Sequence, residues 1–243
     1  MMNANILFLS CLTGLATLFG VFLGSFFKKT KNNIVFSASF AASLMIFISV
    51  FELIPAAAEK IELKYLFLWV FLGIFLVWIA NQVIPHLHSV REIKNCKDKC
   101  LVKMSYLIAT GLILHDFPEG FAIAGSFGSS DSLGLLVAMA AFIHNVPEGY
   151  ILTIFKPKSG NRYSSYKLAA LSALATFLGA VLGIWLLSFF QNLNPIFLAL
   201  AAGAMLFIAI HELLPESCKD HRAGSFMLGI ISSVVVYFFL YLI

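Results

Sequence analysis

Residues 104–127 read MSYLIATGLILHDFPEGFAIAGSF, and residues 132–155 read SLGLLVAMAAFIHNVPEGYILTIF. Each run is long enough to cross a bilayer as a helix, which takes roughly 20 apolar residues. Near its middle each carries a His-x-x-Pro-Glu-Gly motif: His115-Asp116-Phe117-Pro118-Glu119-Gly120 in the first, His144-Asn145-Val146-Pro147-Glu148-Gly149 in the second. A helix that only faces lipid has no use for a histidine and a carboxylate at that depth. Ionisable residues inside a span mark a functional path. The two runs therefore set two expectations together, a membrane-spanning fold and a polar site within it.

Six further apolar runs flank them, at about 5–27, 34–56, 65–84, 167–190, 195–217 and 224–242. The composition agrees: of 243 residues, 60% are hydrophobic and 12% charged, with a mean hydropathy of +0.94. Soluble domains carry about 25% charged residues. The expected fold is all-α and polytopic, with eight transmembrane helices. Residues 1–243 form a single transmembrane domain, and 85–103 form a loop between the third and fourth helices. No basic segment precedes the first run, which reads as a span and not as a signal peptide.

The net charge of +4 does not point to nucleic acid, because the basic residues sit in short connections. Lys28, Lys29 and Lys31 lie in the first; Arg91, Lys94, Lys97, Lys99 and Lys103 in the third; Lys156, Lys158, Arg162 and Lys167 in or beside the fifth; Lys219 and Arg222 in the seventh. Only Lys60 and Lys64 fall in an even-numbered connection, so 14 of the 16 basic residues lie on one side. The positive-inside rule makes that side cytoplasmic and puts both termini outside. Cys96, Cys100 and Cys218 then face a reducing compartment, and the four cysteines form no secreted disulfide framework.

The chain also repeats itself. LATLFGVFLG at 15–24 returns as LATFLGAVLG at 174–183, and SLMIFISVFELIP at 43–55 returns as GAMLFIAIHELLP at 203–215, at offsets of 159 and 160. The matched helices cross in opposite directions. This is an inverted repeat of helices 1–3 against 6–8 around helices 4 and 5, an arrangement frequent in transporters.

Within each central motif His and Glu are four apart, on one face of a helix. Imidazole nitrogen and carboxylate oxygen suit zinc and other first-row divalent ions. Two helices thus offer four ligands, His115, Glu119, His144 and Glu148, with Asp116 and Asn145 beside them for a neighbouring site. Each proline opens its helix about a turn earlier, and freed carbonyls are tolerated where they line a cavity. Gly120 and Gly149 leave room beside the glutamates for a close neighbour or an ion. The spans contain Glu52, Asp116, Glu119, Glu148, Glu212 and Glu216 but no Arg. Companions for these carboxylates must be protons, histidines or bound cations. None of the three His-bearing motifs is His-Glu-x-x-His, which disfavours an intramembrane metalloprotease.

Glu52, toward the outer end of helix 2, is placed on an entry path, and His211-Glu212 in helix 7 on an exit path. The alternative is that Glu52 and Glu212 brace helix ends disrupted by proline. His86, His88, Cys96 and Cys100 in the third connection either hold metal after release or sit incidentally in a solvated basic loop. Gly20/Gly24 and Gly179/Gly183 suit close helix packing, in the bundle or at a dimer contact.

At HDFPEG, HNVPEG, HELLPES and the PHLH segment before helix 4, the chain resembles the ZIP (Zrt/Irt-like) metal transporters, in particular broad-specificity bacterial members, over essentially its whole length. The resemblance implies a primary metal site at His115, Glu119, His144 and Glu148. It implies an adjacent site using Asp116 and Asn145, and a release site at His211 and Glu212. It further implies import of zinc, often with iron, manganese, cobalt or cadmium, by elevator-type alternating access, commonly as a homodimer. One departure stands out: many members carry Glu-Pro-Leu-Gly-Ala in helix 6, where this chain reads Thr176-Phe177-Leu178-Gly179-Ala180. The missing carboxylate favours one strong metal site. The expectation is a multi-pass plasma-membrane carrier whose partners are divalent metal ions and the bilayer. It has no catalytic cofactor and is not an enzyme. The alternatives are a proton-coupled carrier of another substrate and a membrane-embedded metalloenzyme.

Overall fold

The computed structural model describes residues 2–27, 30–83, 98–153, 163–218 and 222–242, without the side chains of 2, 83, 98–113, 163, 164 and 216. His86, His88, Cys96, the Cys100 side chain and most of the basic connections lie outside the described residues. Eight helical stretches account for nearly everything described: α1 (Met2–Phe26), α2 (Lys31–Ala58), α3 (Leu63–Val83), α4 (Asp98–Ser129), α5 (Asp131–Leu152), α6 (Tyr163–Phe189), α7 (Asn194–Ile208, continuing through Leu214–Cys218) and α8 (Ala223–Tyr241). Helix α4 begins at Asp98, so residues 98–103 of the expected loop are helical. Seven of the stretches are long and apolar enough to cross a membrane, and α4 contains the 104–127 run. The chain is an all-α, multi-pass membrane protein.

The shortest connection sets up the site. Between α4 and α5 only Ser130 is non-helical, held extended at φ −158 and ψ 155. Its hydroxyl accepts from the Leu133 amide at 3.1 Å, and Asp131 sits in the first turn, where a negative charge suits the helix dipole. His115 lies 15 residues before this cap and His144 lies 14 after it. At 1.5 Å per residue both motifs fall about 22 Å from the turn. The hairpin thus brings them to the same depth.

Helix packing obeys the sequence repeat. Helix α1 packs on α5 as α6 packs on α4; α8 packs on α2 as α3 packs on α7. The α2 and α7 spans are 67% and 61% buried, whereas those of α3 and α8 are each 17% buried. Helices α1, α4, α5 and α6 form one unit and α2, α3, α7 and α8 another, meeting where α2 contacts α5 and α7 contacts α4.

Small residues make the close contacts. A Cβ on Gly149 would collide with the Thr17 carbonyl, and one on Gly20 with the Val146 carbonyl. The mirror contacts are Gly120 on Thr176 and Gly179 on Phe117. The space beside each glutamate therefore goes to a neighbouring helix, and the Gly20/Gly24 and Gly179/Gly183 pairs pack inside the bundle.

Helices α2 and α7 share one irregularity. Residues Ser49–Leu53 and Ala209–Leu213 each form a single wide turn in which the Ile54 amide donates to the Ser49 carbonyl and the Leu214 amide to the Ala209 carbonyl. Pro55 and Pro215 follow directly, each removing a donor from the helix ladder. Such π turns within α-helices recur at functional sites. Helices α2 and α7 run antiparallel, because Ile54–Ala58 packs on the first part of α7 and Leu214–Cys218 on the first part of α2. Their wide turns, carrying Glu52 and Glu212, therefore lie toward opposite ends.

Candidate metal centre

Helices α4 and α5 bury all six polar residues of their motifs: His115, Asp116, Glu119, His144, Asn145 and Glu148 are each at most 5% exposed. The histidines do not pair with the glutamates of their own helix. His115 Nε2 lies 2.7 Å from Glu148 Oε1, and His144 Nε2 lies 3.4 Å from Glu119 Oε2. Ligand-capable atoms of His115, His144 and Glu148 lie within 4.8 Å of one another, as do those of His115, Asp116 and Glu119.

The local backbone prepares one imidazole for coordination. His144 Nδ1 sits 2.9 Å from the Ala140 carbonyl, one turn earlier on the same helix. A carbonyl only accepts, so Nδ1 carries the proton and the neutral ring presents a lone pair at Nε2. Such a partner fixes the tautomer of metal-binding histidines. Asn145 does similar work for a carboxylate: its Nδ2 donates to Glu119 Oε1 at 3.0 Å and to the Thr13 carbonyl of α1 at 3.3 Å.

The remaining valences are open. Both Asp116 oxygens, Glu148 Oε2 and Asn145 Oδ1 are buried without a hydrogen-bond partner, and Glu119 Oε2 and His144 Nε2 have only each other, at 3.4 Å. The Ser172 hydroxyl of α6 faces Asp116 without completing a hydrogen bond. Among the described residues no Lys or Arg side chain is buried. Three carboxylates held in an apolar bundle without a basic partner make a strong attractor for a cation. Helix α6 adds no carboxylate: Thr176 is fully buried, and its hydroxyl turns back toward the Ser172 carbonyl at 3.4 Å.

His211 and Glu212 lie outside this cluster, on the wide turn of α7. His211 is exposed and stacks on Phe207, with ring centroids 4.8 Å apart. Glu212 is half-buried and accepts from Asn81 Nδ2 of α3 at 2.8 Å. Glu52, on the α2 turn, accepts from the Tyr237 hydroxyl of α8 at 2.6 Å. Sequence reasoning missed Asn81, Tyr237 and Thr13. A polar amide within the apolar α3 run was a usable signal for Asn81; the Thr13 carbonyl left none.

Fold and centre together define a class: a helical membrane protein with inverted internal symmetry and a buried polar centre on two proline-containing helices, flanked by two helices with wide turns, a build that membrane carriers use. The model of the ZIP zinc transporter family matches residues 94–240. The chain is 34% identical over 223 residues to the zinc transporter ZupT of Escherichia coli O7:K1 (strain IAI39 / ExPEC), of Escherichia coli O127:H6 (strain E2348/69 / EPEC) and of Shigella flexneri serotype 5b (strain 8401). These matches cover 86% of this chain and 85% of each relative. The chain belongs to the ZIP family of zinc transporters.

Proposed function

We propose that the protein carries divalent metal ions, zinc foremost, into the cytoplasm across the plasma (inner) membrane, acting as one transport domain with both termini outside. The observation that supports this most is the cluster of His115, Asp116, Glu119, His144 and Glu148, fully enclosed, with both Asp116 oxygens and Glu148 Oε2 left without partners. Imidazole and carboxylate replace the hydration shell of the ion near the bilayer midplane, and Asn145 orients Glu119. Without a carboxylate from α6, the centre holds one ion at a time. The same donors accept iron, manganese, cobalt and cadmium. Transfer of an intact ion makes and breaks no covalent bond, so the protein acts as a carrier and not as an enzyme. The two helical units supply a route: the α1, α4, α5, α6 unit carries the ion past α2 and α7, first by Glu52 and then by His211 and Glu212.

Uptake of radioactive zinc into cells expressing the protein tests this reading. Uptake is expected, together with its loss in His144→Ala and Glu148→Ala variants that reach the membrane. Metal binding without flux would overturn it. On a cysteine-free background, a Lys60→Cys variant should react with an impermeant maleimide from outside. A single Cys218 should react only after the membrane is opened.

A further inference from the structure

The two flanking glutamates are held in matching ways by residues that the sequence reading did not use. Leu72-Gly73-Ile74 in α3 and Leu228-Gly229-Ile230 in α8 lie 156 positions apart, and so do Asn81 and Tyr237. A Cβ on Gly73 would meet the Leu200 carbonyl of α7, and one on Gly229 would meet the Ser39 hydroxyl and then the Phe36 carbonyl of α2. Asn81 and Tyr237 are thus counterparts under the same internal symmetry that relates Glu212 to Glu52. Asn81 donates to Glu212 Oε1 at 2.8 Å and Tyr237 donates to Glu52 Oε1 at 2.6 Å. Both glutamates occupy the fourth position of a five-residue wide turn that precedes a proline. Neighbouring rings match as well: Phe47 and Phe51 lie 6.1 Å apart on α2, where α7 has Phe207 and His211 at 4.8 Å.

A neutral acceptor suffices to tie two helices together, whereas a half-buried carboxylate at a broken turn carries a desolvation cost that such a tie does not require. Here a half-buried carboxylate is fixed by one oxygen at each end, on α2 and α7, the helices of their unit that meet α5 and α4. We propose that Tyr237 and Asn81 are positioning residues for transport, each holding one carboxylate, Glu52 or Glu212, as a relay station for the divalent ion at its own end of the protein. This rests on the carrier reading above and extends it to the two residues that hold the flanking glutamates. The stations differ in donors. The Glu212 end adds the imidazole of His211, whereas the Glu52 end has the phenyl ring of Phe51.

The test is zinc uptake at varied concentration, normalised to protein in the membrane, for Tyr237→Phe, Glu52→Gln, Asn81→Leu and the Tyr237→Phe/Glu52→Gln double variant. Tyr237→Phe keeps the ring that packs 5.8 Å from Phe47 and 6.0 Å from Phe51, losing only the hydroxyl. It should raise KM about tenfold at nearly unchanged maximal rate, the size expected when a hydrogen bond to a charged group is lost. Asn81→Leu should instead lower the maximal rate with KM little changed. Glu52→Gln keeps an acceptor for Tyr237 but removes the charge, and should be as impaired as Tyr237→Phe. The double variant should be no worse than either single one. Wild-type behaviour of Glu52→Gln would mark the pair as a helix tie and overturn the proposal, as would variants that differ only in membrane abundance. Absence of uptake by the wild-type protein would overturn the carrier reading along with it; normal wild-type uptake with unaffected variants would overturn the relay alone.

Discussion

His115 Nε2 meets Glu148 Oε1 at 2.7 Å, although Glu119 is the glutamate on its own helix face. His144 likewise approaches Glu119. The centre is therefore made by two helices jointly, and its geometry depends on the register that the Ser130 hairpin imposes on α4 and α5.

One ion per chain is the expectation of the proposed carrier, since α6 offers no carboxylate. The metal-loaded protein in detergent should contain one zinc per chain by elemental analysis. At free zinc 100 times the dissociation constant, binding should stabilise the fold by about 2.7 kcal/mol. Removing the ion with a chelator should lower the thermal midpoint. Two zinc ions per chain would mean that Asp116 and Asn145 complete a second site without α6.

Asn145 touches Glu119 and the Thr13 carbonyl at once. Replacing it by Ala should weaken zinc binding by about 10–100-fold, the usual cost of losing an orienting partner behind a metal ligand. Competition with a fluorescent chelator measures this directly. Unchanged affinity would show that Glu119 needs no orientation.

Asp116 is fully buried and neither of its oxygens has a hydrogen bond. An Asp116→Asn variant should be more stable than the wild type without metal at alkaline pH, where the buried carboxyl would otherwise have to ionise without a hydrogen-bond partner. Each 1 kcal/mol gained should raise the midpoint by about 2–4 °C in a chain of this size. The same variant should gain less than the wild type when zinc is added. A metal-free midpoint below that of the wild type would refute the argument.

Gly120→Ala and Gly149→Ala should each destabilise the protein, because the new methyl meets the Thr176 or Thr17 backbone and not a flexible side chain. Overpacking of this kind costs about 1–3 kcal/mol. Gly224→Ala is the control: nothing lies within 4 Å of a Cβ there. Thermal unfolding of the purified variants separates these outcomes.

Much of this was legible in the sequence. The apolar runs marked the spans to within a few residues, because length and hydropathy carry that signal without tertiary information. The offsets of 159 and 160 marked the mirror relation that α1–α5 and α4–α6 packing displays. Cross-helix relationships were not legible. Spacing alone put His115 and Glu119 on one face; only the meeting of α4 and α5 pairs His115 with Glu148. The prolines signalled a disturbed helix, but the wide turn one step before each depends on how the backbone reroutes its amides. Tyr237 looked like one more aromatic in a lipid-facing run, since its partner Glu52 lies 185 positions away.

The twin seats of Gly149 on Thr17 and Gly120 on Thr176 bear on energetics as well as on packing. Both seats lie within the α1, α4, α5, α6 unit, and a half-rotation about an axis in the membrane plane exchanges one for the other, so that unit presents like backbone surfaces toward either face. On the carrier reading, the packing of that unit by itself favours neither direction. On that reading, net flow follows the difference in ion activity across the membrane, biased where the halves differ, as at Phe51 against His211 and Tyr237 against Asn81.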